Sequence, residues 1–91
     1  MNERMESLAL SFHGLARASG VQPFDPEKLD AWASGPAPGH GALCAARFVL
    51  SVWNERAPWR SGHFDAMEAL GCWDAEHRKA FVDWAAAPWW P

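Results

Sequence analysis

Two lysines and six scattered arginines leave this chain without a basic footprint, and its net charge at neutral pH is −3. A nucleic-acid binder concentrates positive charge along one face or one helix, so no nucleic-acid partner is expected. So small a charge does not point to a strongly cationic partner either. Cysteine is equally scarce. Cys44 and Cys72 stand 28 residues apart and read as free, buried thiols, not as a disulfide framework. No apolar run approaches the roughly 20 residues needed to cross a bilayer. The first residues include Glu3 and Glu6 with no early apolar run behind them, which is not the pattern of a secretory signal. The expectation is a cytoplasmic chain with no membrane partner.

Signatures of chemistry are also missing. Gly35-Pro36-Ala37-Pro38-Gly39-His40-Gly41 precedes a helix start, where backbone donors can attract an anion. It has neither the lysine nor the spacing of a P-loop and reads as a connection. Ser51 and Cys44 lack the strand-turn-helix elbow that would present a nucleophile to a base. Glu55, Asp65 and Glu68 could supply paired carboxylates, but helix caps and solvated faces account for them. His40 and Cys44 are four apart, and Cys72 and His77 five apart across a helix boundary. Neither pair has the short doublet spacing of a zinc site. No catalytic residue, metal or cofactor is therefore assigned.

What the chain does have is tryptophan: seven, with five phenylalanines and no tyrosine, in 91 residues. Each buried indole removes roughly 150–250 Å² from water, which helps a small core form without metal or disulfide. With 49% hydrophobic and 21% charged residues, the balance is that of one folded domain.

The organising stretch is Ala42 to Trp53, ALCAARFVLSVW, in which ten of twelve residues are apolar. At helical pitch the two exceptions, Arg47 and Ser51, fall on one narrow stripe with Asn54. This is a central helix that other elements wrap, and it is too apolar to serve as a recognition helix in a DNA groove. Its small face, Ala42, Ala45, Ala46 and Val49, invites close approach, and the first helix is the expected neighbour. That helix is expected over Asn2–Ser19, on the spacing of Met5, Leu8, Ala9, Phe12, Leu15 and Ala16, with Gly20 as its stop. Gly14 weakens its middle from a position outside the apolar face.

Phe24-Asp25-Pro26 predicts an N-cap at Asp25 and a short helix to about Ser34, with Phe24 stapled onto Leu29. Phe64-Asp65 opens another through about Cys72, with Ala66, Met67 and Leu70 expected inward. Trp73-Asp74 opens the last, on which Trp73, His77, Ala80, Phe81 and Trp84 share a face and Lys79, Asp83 and Ala86 face away. Pro88 ends it. The recurring aromatic-Asp pair reflects repeated capping chemistry, not duplication. The fold class is all-α, a compact bundle of four to five helices around a central buried helix at about residues 42–54.

Three places could carry function. Arg56 and Arg60, interleaved with Trp53 and Trp59, form the only basic-aromatic cluster. Trp89 and Trp90 end the chain, and adjacent indoles either close a core or dock into another molecule. His77 sits mid-face beside Phe81 and Trp84 and is the candidate for a ligand-binding or pH-sensitive group; buried without a carboxylate partner, its charged form would be disfavoured. The expectation is a small noncatalytic protein acting by contact, with a protein partner or with itself, through Trp59, Trp89 and Trp90 with Arg56 and Arg60 at the rim. The alternative is a small ligand- or metal-binding protein or enzyme with a pocket near His77 and Cys72.

Overall fold

In the computed structural model, which describes residues 2–91, the longest element is the expected central one. It runs from His40 to Asn54 and is numbered α3 below. The others are α1 (Glu3–Leu10), α2 (Pro26–Ala33), α4 (Ala66–Cys72) and α5 (Ala75–Ala86), with a short 3-10 turn at His13–Leu15 between α1 and α2. There is no strand among the described residues. Cys44, Ala45, Ala46, Phe48, Val49, Leu50 and Val52 of α3 are buried, and every other element packs against them in one hydrophobic cluster. The molecule measures 29 × 26 × 25 Å.

The aspartates cap as their positions dictate. Asp25 Oδ1 accepts from the amides of Glu27 and Lys28, Asp65 Oδ1 from Met67 and Glu68, and Asp74 Oδ1 from His77. Each satisfies donors that the first turn leaves open. Pro26 occupies the first position of α2, where its missing N–H costs nothing.

The first helix is eight residues long, not eighteen. Ser11 turns its hydroxyl back onto the Leu8 carbonyl, 2.5 Å away, a local bond that competes with the helical ladder. Phe12 is extended, and the chain then winds through the 3-10 turn. The expected apolar set is still buried through Leu15: Met5, Leu8, Ala9, Phe12 and Leu15 all lie inside, whereas Ala16 is exposed. Gly20 stops no helix. It has a positive φ of 84°, and a Cβ there would run into the backbone nitrogen of Leu29, so the loop before α2 lies against the start of that helix. The Gln22–Pro23 peptide in this loop is cis.

Two further expectations are corrected. With α1 so short, α2 lies more extensively along α3 than α1 does. On α4 the fully buried residue is Ala69; of the three expected inward, Ala66 is half-buried, Leu70 is 40% exposed and Met67 is 79% exposed. The side turned towards α3 includes Glu68 and Cys72, and the polarity of Glu68 hides that face from a hydrophobicity pattern. The last helix behaves as read: His77 and Ala80 are buried, Phe81 and Trp84 half-buried, and Lys79, Asp83 and Ala86 exposed. Trp73 is fully packed, but it is an extended link between α4 and α5, not a helical residue. α3 also begins two residues earlier than its apolar run. The Trp73 indole donates to the Gly41 carbonyl at 2.9 Å, which ties down the first turn.

Candidate functional site

Of the seven indoles, Trp73 is fully buried, five are half-buried and Trp90 is exposed. Of the residues expected to form one contact surface, Trp59 and Arg60 line one depression and Trp89 another, the two linings share no residue, and Trp90 lines neither. Trp59 and Arg60 line theirs beside Trp53 and the N-terminal end of α2. The Trp59 indole donates to the Asn54 carbonyl at 2.9 Å, closing the C-terminal end of α3. Arg56 lines neither depression; its amide donates to Asn54 Oδ1.

This loop is held by a buried carboxylate that the sequence did not single out. Asp30 accepts from the amides of Arg60 and Ser61 at 3.1 and 2.9 Å and from the Ser61 hydroxyl at 2.7 Å. Burial alone would raise its pKa. The bonds from Ser61 and Arg60, with the nearby Arg60 charge, outweigh that and hold the carboxyl below its ordinary value. An acid at the fifth position of an otherwise ordinary short helix gave no sequence signal.

Trp89 lines the second depression, a groove of about 460 Å³ between α1 and α5. Leu8, Ala80 and Trp84 line it with Trp89, and Glu3 and Asp83 stand at its edges. The tail folds back onto the body. The Trp84 indole donates to the Trp89 carbonyl at 3.1 Å, and the Arg4 guanidinium lies 4.1 Å from the centre of the Trp89 ring, a cation–π contact. Trp90 packs edge-on against Trp84, ring centres 5.4 Å apart, yet remains 61% exposed.

His77 is buried and has the carboxylate partner that its sequence position left open. Its Nδ1 lies 2.8 Å from Asp74 Oδ1, while its Nε2 accepts the Gly14 amide at 3.3 Å. Its ring stacks on Trp73 at an interplanar angle of 12°. The same carboxylate receives His13 Nε2 at 2.7 Å through its other oxygen. The amide and ring of His77, then His13, hold the Asp74 carboxyl far below its usual range. Both ring nitrogens of His77 are thus engaged inside the fold, fastening the 3-10 turn to the start of α5. Neither His77 nor Cys72 lines the α1/α5 groove or the Trp59 depression.

Cys72 belongs to a different cluster. Its thiol lies 3.7 Å from that of Cys44, and one ring nitrogen of His40 completes a set whose ligand atoms all lie within 4.8 Å of one another. Glu68 Oε2 is 2.6 Å from His40 Nε2 and 3.4 Å from the Arg47 guanidinium. Arg47 in turn donates to the Ser61 carbonyl at 2.7 Å, so this member of the polar stripe of α3 faces α4 and the loop before it. Burial, and then the neighbouring Cys72 thiol and the Glu68 charge, push the Cys44 thiol up to about 12. The sequence did carry a signal for this cluster: two four-residue spacings, His40/Cys44 and Glu68/Cys72, on helices that pack together. Compared with known protein families, curated proteins and solved structures, the chain matches none.

Proposed function

We propose that this protein works by contact and not by catalysis, pairing with a second copy of itself through the α1/α5 groove and Trp90. The observation that carries this reading is an indole 61% exposed, packed beside a groove of about 460 Å³ walled by Trp84 and Trp89. A two-fold interface needs a projection and a recess on the same patch, because each copy offers both. Here the projection is Trp90 and the recess is the groove. Tryptophan is the side chain that most often dominates such contacts, seated in a desolvated pocket. The groove edges carry charges of both signs in Glu3, Arg4 and Asp83, as the polar rim of an interface does.

Sedimentation velocity between about 1 and 100 μM, the range of a weak to moderate dimer, tests this. The wild-type chain is expected to shift towards twice its 10.1 kDa mass as concentration rises. Trp90→Ala is expected to stay monomeric, with a melting temperature equal to that of wild type at the dilute end, where both chains are monomers. A wild-type monomer across the whole range, or a Trp90→Ala variant that pairs equally well, overturns the reading.

A further inference from the structure

The geometry points to a zinc-binding site between α3 and α4, with the thiolates of Cys44 and Cys72 and one imidazole nitrogen of His40 as ligands and the Glu68 carboxylate steadying the histidine. The donor set is the first argument. Two sulfurs and an imidazole suit a thiophilic, tetrahedral cation, and zinc is the divalent ion best matched to that mixture. The sulfur separation is the second. Zinc–sulfur bonds of about 2.3 Å at a tetrahedral angle place two sulfurs about 3.8 Å apart. The thiols of Cys44 and Cys72 lie 3.7 Å apart. A disulfide would need about 2.0 Å.

The surroundings are the third argument. Histidine ligands are typically held by a carboxylate, itself held by a further group. Glu68 sits 2.6 Å from His40 Nε2, and Arg47 holds Glu68 from α3 at 3.4 Å. Cys44 lies at the buried end of the cluster, whereas His40 and Glu68 lie at the exposed end, so an ion entering from solvent meets the imidazole first. On binding, each thiol loses its proton to solvent as its sulfur bonds the metal. The other histidine cluster does not compete. His77 has its Nε2 lone pair engaged by the Gly14 amide and its Nδ1 on Asp74, leaving no nitrogen for an ion. The site is separate from the α1/α5 groove and does not depend on it.

The test uses the 91-residue chain, reduced and stripped of metal, titrated with cobalt(II) and then with zinc against a chromophoric chelator. One equivalent of cobalt is expected to give the visible ligand-field bands of a tetrahedral thiolate site, and zinc is expected to displace it. Cys72→Ser and His40→Ala are each expected to weaken zinc binding by more than about tenfold with helical circular dichroism retained. His13→Ala should leave the affinity unchanged. Should Cys72→Ser lose its helical signal, the half-exposed His40 position decides alone. A reduced wild-type chain without a tetrahedral cobalt spectrum overturns the inference. So does zinc affinity that survives His40→Ala, or that is lost with His13→Ala.

Discussion

Gly14 shows how one residue can have opposite meanings in pattern and in space. Read as the middle of a long helix, it is a weakness that alanine would repair by roughly 1 kcal/mol. In the structure it belongs to the 3-10 turn, and a Cβ at this position would stand 2.8 Å from His77 Nε2 and 3.3 Å from the Ala42 Cβ. The imidazole cannot yield freely, because Trp73 stacks on it and Asp74 holds its other nitrogen. Gly14→Ala is therefore expected to destabilise by about 1–3 kcal/mol, measured by urea unfolding. A gain in stability would restore the helical reading. Asp30 makes a second residue-scale case. Its carboxyl, like that of Asp74, is held below its ordinary value in the fold and returns to about 3.9 when the chain unfolds. A depressed carboxylate contributes its full stability above the unfolded value and loses it as pH falls through the folded one. The urea midpoint is thus expected to drop between about pH 6 and pH 3. Asp30→Asn should lose about 1–2 kcal/mol at the higher pH and show a smaller drop on acidification. An equal drop in both proteins would mean that Asp30 is not depressed.

Among the elements, those whose ends are written in side-chain chemistry were legible, and those whose ends depend on distant partners were not. Asp25-Pro26 and the aspartates at 65 and 74 fix helix starts locally, and all three caps form. The buried stretch of α3 was legible because almost any fold of a rod so apolar must bury it. The end of α1 was not. The periodicity continues past Leu10 because Phe12 and Leu15 are also core residues, but the backbone carrying them turns to bring Gly14 under His77, 63 residues further on. α4 failed for a related reason. It is seven residues long, too short for a hydrophobic stripe to decide its orientation, and Glu68 and Cys72 set it through His40 and Cys44. The candidate sites divide the same way. The terminal tryptophans stand out in the sequence as an adjacent pair, of which only Trp90 is exposed, whereas the sulfur–imidazole cluster needs two helices brought together, which neither spacing shows alone.

At the scale of the whole molecule, the terminal tryptophans sit in two different settings. They read as a unit, closing the core or meeting a partner, but the fold separates them. Trp89 turns inward, packs against the core, lies under the Arg4 guanidinium and offers its carbonyl to the Trp84 indole. By these contacts the segment around Trp89 is fastened to α5 and to Arg4 of α1. Trp90 turns outward and touches only the edge of Trp84 among the aromatic rings. The separation has a measurable consequence. Trp89→Ala is expected to lower the unfolding free energy by about 2–3 kcal/mol, less than the 3–5 of a fully buried indole because Trp89 is only half-buried. Trp90→Ala is expected to stay within about 0.5 kcal/mol of wild type, measured on dilute monomer so that pairing does not contribute. Reversal of that order would place Trp90 in the core. The α1/α5 groove would then have no indole projecting beside it, and the proposed self-pairing surface would lose the side chain on which it is built.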